Sequence, residues 1–140
     1  MRDRTPVQML ATLVGVVFVL VGILGFVPGI TTHYSDLSFA GHNSGAKLLG
    51  IFQTSILHNI VHLAFGVGIL MAKTPGGART YLIGGGIVYL AVWIVGAIGG
   101  LDWLPVNTAD NYLHIVLGAA MVLLGLVAGR ATTTRPAAAV

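Results

Sequence analysis

Four apolar segments separated by short polar links constrain the fold of this chain more than any other feature. They lie at residues 7–27, 48–72, 80–98 and 109–129. Each is close to the roughly 20 residues that a helix needs to cross about 30 Å of hydrocarbon. Membrane β-strands would instead be about ten residues long with alternating polarity, and the segments do not show that pattern. The sequence therefore predicts an all-α integral membrane bundle of four helices.

The composition leaves no room for a soluble domain. Of the 140 residues, 56% are hydrophobic and 8% are charged, whereas about a quarter of the residues in soluble domains are charged. The links and tails are also too short to fold separately. We therefore expect a single transmembrane domain over residues 1–130, followed by a disordered cytoplasmic tail over residues 131–140.

The distribution of basic residues predicts the orientation in the membrane. The two ends of the chain and the link between the second and third segments hold Arg2, Arg4, Lys73, Arg79, Arg130 and Arg135. The other two links hold Lys47 together with Asp36 and Asp102. Because basic residues mark cytoplasmic links, we predict a multi-pass protein of the bacterial inner (plasma) membrane with both termini in the cytoplasm. The net charge of +3 reflects this sidedness and does not indicate binding to nucleic acid.

A polar pattern occurs twice, once in the second segment and once in the fourth. The copies are Ser55, Asn59, His62 and Gly66 and, 52 positions later, Asn107, Asn111, His114 and Gly118. Residues three and four apart share a helix face, so each copy forms one stripe. Segments one and three match with a shift of 71, which superposes Gly15 on Gly86, Phe18 on Tyr89 and Gly25 on Gly96. We therefore predict two helical hairpins related by a pseudo-two-fold axis along the membrane normal.

The two stripes predict a polar core, because such side chains are too costly to face lipid. Its members are His58, Asn59, His62, Asp110, Asn111 and His114. If the second and fourth helices face each other, Asn59 can bond to His114. Asn111 can likewise bond to His62. Gly66 and Gly118 would permit the close approach of these two helices.

His58 and Asp110 occupy the same position in the two copies but differ in kind. Two arrangements of Asp110 are open. It either pairs with His58 across the pseudo-two-fold axis, or it lies in the first turn of the fourth helix, capped by Asn107, where an acid favours the helix dipole. This unmatched pair is where we expect any chemistry to lie.

Several chemical interpretations of the polar core stay open. His58 and His62 have the spacing of metal ligands on one helix, and His114 adds a third imidazole for a divalent metal. Asp110 would then be a fourth ligand or would orient the others. Haem b is another interpretation, with His62 and His114 as axial ligands. The buried histidines and Asp110 also suit a path for protons or a small solute.

Other reaction types have less support in the sequence. No serine or threonine is arranged with a histidine and an acid in a recognisable order, so nucleophilic catalysis is not indicated. The chain has no cysteine, which excludes disulfides and thiolate ligands. We therefore lean against an enzyme.

The ends of the segments carry local signals. Thr5, Pro6 and Gln8 form a capping-box pattern that predicts the start of the first helix. The Thr-Pro-Gly-Gly sequence at residues 74–77 predicts a tight turn between the second and third helices. Residues 29–47 form the outer loop, whose polar residues are either solvated or part of a lid over the bundle.

Five segments of the chain carry a family resemblance. They are residues 28–32, 39–42, 57–63 with Gly66, 73–79, and 107–111 with His114, and the segment 57–63 is the most specific. On these residues the chain resembles a family of small bacterial membrane proteins, common in actinobacteria and described as domain of unknown function 4383. The resemblance implies four transmembrane helices and supplies no activity.

Among these interpretations, the residues favour a structural or accessory membrane component held together by a hydrogen-bonded Asn/His core. Besides the lipid bilayer, the expected partner is a second copy of the chain or a larger membrane complex, bound through the glycine-rich faces of the first and third helices. A metal- or haem-binding redox protein is the alternative, and a transporter is the third interpretation.

Overall fold

The computed structural model describes residues 4–99 and 101–130, and this part of the chain is mostly helical. The helices are α1 (Pro6–Leu24), α2 (Ile56–Phe65), α3 (Gly68–Met71), α4 (Pro75–Ala97) and α5 (Thr108–Arg130). α2 and α3 are two parts of one broken helix, so the described residues form four helical rods. Of these, α1, α4 and α5 are long and apolar enough to cross a membrane. The tail predicted at residues 131–140 lies outside the described residues.

The capping box predicted at the start of α1 is confirmed. Thr5 is the N-cap, Pro6 takes the first helical position, and Oε1 of Gln8 accepts a hydrogen bond from the Thr5 N–H at 3.1 Å. Nε2 of Gln8 donates to the carbonyl oxygens of Ala72 and Lys73 at 3.0 and 3.1 Å. The side chain that starts α1 therefore also joins it to the residues just after α3.

Within the outer loop and just after it, the chain forms a small three-stranded antiparallel sheet, which replaces the predicted start of the second helix. Its strands, in order across the sheet, are β1 (Thr31–Thr32), β2 (Lys47–Leu48) and β3 (Phe52–Gln53). β3 and the second residue of β2 lie in the segment predicted as helical from residue 48. That boundary is therefore wrong. A short apolar run does not distinguish a strand from a helix, so hydrophobicity alone could not place it.

Two local features place the start of α2 at Ile56. Leu49 and Gly50 have φ angles of 54° and 72°, and this left-handed backbone turns the chain between β2 and β3. Ser55 then acts as the N-cap, and its hydroxyl oxygen accepts a hydrogen bond from the His58 N–H at 3.2 Å. The helix therefore begins where a side chain satisfies its first-turn N–H groups.

The predicted third helix, α4, begins at Pro75, five residues before its predicted start. The Thr74 side chain accepts a hydrogen bond from the Gly77 N–H at 3.0 Å, and Pro75 occupies the first helical position. The sequence predicted as a tight turn is thus the cap and first turn of α4, because proline is preorganised for that position. α1 ends at Leu24 rather than at residue 27, and α5 agrees with its predicted bounds within one residue.

Hydrogen bonds hold the outer loop against the N-terminal end of α2 and against the link before α5 (residues 101–107). The carbonyl oxygens of Ser38 and Phe39 accept from the N–H groups of Ile56 and Leu57 at 3.0 and 2.9 Å. The Gly41 N–H donates to the carbonyl oxygen of Trp103 at 2.9 Å. The loop thereby satisfies N–H groups at the start of α2 that have no partner within the helix.

Glycines bring α4 against α5, and α1 against the broken helix. A Cβ atom on Gly86 would lie 2.7 Å from the carbonyl oxygen of Gly118. On the other side, a Cβ atom on Gly66 would lie 3.7 Å from the carbonyl oxygen of Gly15. Gly66 thus packs against α1, and Gly118 packs against α4. The predicted approach of α2 to α5 through these two glycines is wrong. Gly15 of α1 and Gly86 of α4 therefore make contacts within the chain.

Candidate functional site

The three predicted histidines come together between α2 and α5 and form what we call the histidine cluster (His58, His62 and His114). The ring centroids of His58 and His62 are 4.5 Å apart, and those of His58 and His114 are 6.2 Å apart. His114 is only 2% exposed, and the other two are partly buried. The structure therefore brings the three predicted histidines close to one another.

The two asparagines of the polar core have other partners than the histidines, so the predicted reciprocal Asn–His bonds are wrong. Oδ1 of Asn59 accepts from the hydroxyl of Thr54, and the Asn59 side chain packs against Gly25 of α1. The Asn111 side chain packs against Gly96 of α4 in the same way. Because glycine has no side chain, Gly25 and Gly96 leave space at the end of α1 and on α4. The amides of Asn59 and Asn111 occupy this space and so do not reach the opposite stripe.

Asp110 adopts the second of its two predicted arrangements, the one capped by Asn107. Oδ1 of Asn107 accepts from the Asp110 N–H at 3.0 Å, and Oδ2 of Asp110 accepts from the Asn107 N–H at 2.9 Å. The same carboxylate oxygen accepts from the Gln53 N–H of β3 at 3.1 Å. Asp110 is 2% exposed. It therefore ties the sheet to α5 through main-chain N–H groups rather than pairing with His58.

Four imidazole nitrogens of the histidine cluster are buried without a hydrogen-bond partner among the described residues. They are Nδ1 of His58, both ring nitrogens of His62, and Nδ1 of His114. Buried polar atoms are normally paired, and one left without a partner costs about 1–3 kcal/mol. Four such atoms in one cluster are a concentration of unpaired buried polar groups that side-chain packing by itself does not account for.

Sequence reasoning missed two aromatic members of the site, Phe18 of α1 and Tyr89 of α4. The Phe18 ring lies 5.6 Å from that of His62, and the Tyr89 ring lies 5.2 Å from that of His114, measured between centroids. A signal for them was present, because the shift of 71 superposes Phe18 on Tyr89 while the shift of 52 superposes His62 on His114. Attention to polar residues alone left this signal unused.

Two cavities meet at the histidine cluster. The lateral cavity has a volume of about 150 Å³ and is bounded by α2, α4 and the link before α5, with walls that include Val61, Val88, Tyr89 and Trp103. The loop cavity has a volume of about 100 Å³, and its walls include Phe52 and Asp110. All three histidines line both cavities. The cluster therefore lies at the boundary between a largely apolar space and the region under the sheet.

The arrangement does not fit the predicted metal or haem centre. Across residues 4–99 and 101–130, no three His, Cys, Asp or Glu side chains form a group that could hold a metal ion. Asp110, the predicted fourth ligand, is bonded to main-chain N–H groups. A cavity of about 150 Å³ is also smaller than the roughly 300–1,000 Å³ of pockets that hold larger ligands, so it does not fit a porphyrin.

Comparison with known proteins gives one match. The sequence model of a family described as "Domain of unknown function (DUF4383)" matches residues 8–127, a range that includes the whole histidine cluster. No curated protein and no solved structure matches the chain.

Proposed function

The chain belongs to the DUF4383 family, and we propose that it is a multi-pass protein of the bacterial inner membrane that binds a small lipid-soluble ligand at the histidine cluster. The observation that carries this proposal is the burial of His114 and the hydrogen bonding of its ring. This residue is 2% exposed, lines both cavities, and has an Nδ1 atom with no hydrogen-bond partner among the described residues. A ligand that bonds to this nitrogen would remove a cost of about 1–3 kcal/mol.

A binding role fits the site better than a purely structural one. A structural core would need its polar groups to satisfy each other. Here Asn59 and Asn111 pack on glycines instead, and the ring nitrogens next to them have no partner among the described residues. The accessory component expected from the sequence thus becomes, in this proposal, a component with a ligand.

The surface of the long helices supports the membrane assignment. Large aliphatic side chains are exposed along them, for example Leu13 at 60%, Leu20 at 51%, Leu123 at 60% and Val127 at 68%. In water, an exposed apolar surface of this kind drives association with other molecules. In a bilayer it is the surface that lipid tails contact, and the helices are long enough to span the hydrocarbon.

Contacts at one end of the bundle support the orientation. Gln8, near the start of α1, bonds to the carbonyl oxygen of Lys73 at 3.1 Å, and Gly129, near the end of α5, packs against the side chain of Arg79. The start of α1, the basic link around Lys73 and the end of α5 therefore lie together. The positive-inside rule favours the cytoplasm for this end, which leaves the histidine cluster in the outer half of the bundle.

Matched contacts support two related hairpins, one formed by α1 with α2 and α3 and the other by α4 with α5. The matched pairs are Gly25 with Asn59 and Gly96 with Asn111, and Phe18 with His62 and Tyr89 with His114. The glycines and the aromatic residues correspond by the shift of 71. The asparagines and the histidines correspond by the shift of 52. Two hairpins built alike would face the site with the same set of side chains.

Labelling of single cysteines tests the proposed topology. Because the chain has no cysteine, an introduced thiol is the only one present. We expect Asn43→Cys to react with a membrane-impermeant maleimide in intact cells, and Gly76→Cys to react only after permeabilisation. Both positions are exposed, and a side chain at Gly76 meets no atom within 4 Å. The reverse pattern would contradict the orientation, and equal labelling in intact cells would contradict a membrane-spanning chain.

Retention of a native small molecule tests the proposed binding function. We expect the protein, extracted from its own membrane in polymer nanodiscs, to carry a lipid-soluble molecule that solvent extraction and mass spectrometry detect. Val88 lines the lateral cavity and is 47% exposed, so Val88→Phe should obstruct the cavity without disturbing the buried core. The retained amount should fall about tenfold, which corresponds to about 1.4 kcal/mol of binding free energy.

Val127→Phe is the matched control for this experiment. Val127 is 68% exposed on α5 and lines neither the lateral cavity nor the loop cavity. Its replacement adds the same side chain to the lipid-facing surface, so retention should match that of the unaltered protein. Equal retention in all three proteins, or no enriched molecule in any of them, would contradict the binding function.

A further inference from the structure

We infer that the ligand of the lateral cavity is the ring of a lipid-soluble quinone or of its quinol, an inference that rests on the binding function proposed above. Size is the first argument. The cavity measures about 150 Å³, and an apolar protein cavity of about that volume holds a benzene ring. A single six-membered ring therefore fits, whereas a phospholipid head group with its glycerol and phosphate is larger than this space.

The walls of the lateral cavity suit a flat ligand. Phe65, Tyr89 and Trp103 contribute aromatic rings to the lining, and the remaining wall is mostly aliphatic. Aromatic side chains gain free energy from offset or edge-to-face contact with another ring, beyond the gain from burial. A planar ligand can make such contacts, while a flexible acyl chain gains only burial.

Imidazole side chains line the cavity from two helices. His58 and His62 belong to α2, His114 belongs to α5, and all three line the cavity. A neutral imidazole carries one donor and one acceptor, so it can donate to a quinone carbonyl or accept from a quinol hydroxyl. A ring with oxygen atoms on opposite sides can bond to both helices at once.

Other lipid-soluble molecules of similar size fit the chemistry less well. A hydrocarbon would leave the imidazole nitrogens without a partner, at the full cost of burying them. A fatty acid would bring a carboxylate into the cavity, whose lining includes no lysine or arginine. Burial of a charge without a partner of opposite charge costs several kcal/mol or more.

The most exposed lining residues mark the mouth of the cavity. Val61 on α2 is 42% exposed, Val88 on α4 is 47% exposed, and Trp103 in the link is 53% exposed. The mouth therefore opens to the side, between two helices whose outer surfaces are apolar. An isoprenoid or alkyl tail attached to the ring can leave through this mouth into the bilayer, so the ligand needs no aqueous route to the histidines.

Fluorescence of Trp103 tests the inference directly. The chain has two tryptophans, and Trp103 is the one that lines the lateral cavity. The Trp93→Phe protein, reconstituted in nanodiscs, then carries a single reporter at the mouth. We expect decylubiquinone to quench this fluorescence saturably, and decylubiquinol to compete. Decylbenzene, which has the same tail but no ring oxygens, should compete about tenfold less well, because it forms no hydrogen bonds.

Replacement of His114 identifies the polar partner. In the Trp93→Phe background, His114→Phe keeps an aromatic ring but removes the buried nitrogens, and the affinity for decylubiquinone should fall about tenfold. His42→Phe, at an exposed position of the outer loop, should bind like the reference protein. If His114→Phe fails to fold, Val88→Phe supplies the test, because it obstructs the mouth and leaves all three histidines in place.

The outcomes separate this inference from the broader proposal. Quenching that rises linearly with quinone and is equal in Val88→Phe would reflect partition into lipid and would overturn the inference. Decylbenzene binding as tightly as the quinone, with no effect of His114→Phe, would also overturn it, yet would leave a site for lipid-soluble molecules. The binding function itself would fail only if no molecule were retained from the native membrane, or if retention were equal in all three proteins.

Discussion

Replacing Gly86 by leucine is expected to lower the free energy of unfolding by about 3 kcal/mol, because α4 and α5 meet backbone to backbone at this position. A Cβ atom there would lie 2.7 Å from the carbonyl oxygen of Gly118 and 2.9 Å from the backbone nitrogen of Val122. Backbone atoms cannot turn aside as a flexible side chain can, so the two helices must separate. In the membrane location proposed above, close packing of small residues drives helix association, so little else offsets that loss.

Gly84→Leu is the control, since it lies in the same run of three glycines. A Cβ atom at Gly84 meets nothing within 4 Å, and both variants gain the same intrinsic helix propensity. We expect Gly84→Leu to change the free energy of unfolding by less than about 0.5 kcal/mol. Titration with sodium dodecyl sulfate in mixed micelles, followed by circular dichroism, measures both variants. Equal losses would contradict the backbone contact between α4 and α5.

Asp110→Ala is expected to cost about 3 kcal/mol and to loosen the sheet next to the outer loop. The carboxylate accepts hydrogen bonds from the Asn107 and Gln53 N–H groups at 2.9 and 3.1 Å. Alanine has no acceptor, so both N–H groups would lose their partner in a part-buried region. The first of these bonds belongs to the cap of α5, and the second is a side-chain link between α5 and β3.

Amide hydrogen exchange measures this effect residue by residue. Exchange at the Gln53 N–H should become about a hundredfold faster in Asp110→Ala, the factor that corresponds to about 3 kcal/mol. Asp102→Ala is the matched control, because Asp102 is an exposed acid in the link just before α5. Its replacement should leave exchange at Gln53 unchanged. An unchanged rate at Gln53 in Asp110→Ala would show that the bond between α5 and the sheet does not hold the sheet in place.

The parts of the fold that depend on neighbouring residues were predicted well. The start of α1 follows from Thr5 and Gln8, and the start of α5 follows from Asn107 and Asp110, because in each case the capping bonds join residues three apart. Membership of the DUF4383 family was also predicted from the residues, and it is confirmed over residues 8–127. The start of α2 was not predicted, because it depends on a turn at Gly50 that pairs β2 with β3.

The candidate site divides in the same way. His58 and His62 lie one helical turn apart, and His114 holds the position of His62 in the repeated pattern, so their spacing predicted a shared face. What each side chain touches was predicted less well. Asn59 contacts Gly25 across a separation of 34 residues, and Trp103 reaches the lateral cavity from the link before α5. Spacing along one helix carries no information about which other element lies against it.

The sequence by itself determined which segments are apolar, where capping begins α1 and α5, and which polar residues share a helix face. The tertiary structure decided which partners those residues have. The period of a helix is a property of the local backbone. A side-chain hydrogen bond to another element depends instead on which helix packs closest. Gly25 and Gly96 let α1 and α4 pack against Asn59 and Asn111. The histidines consequently face a cavity rather than the amides of these asparagines.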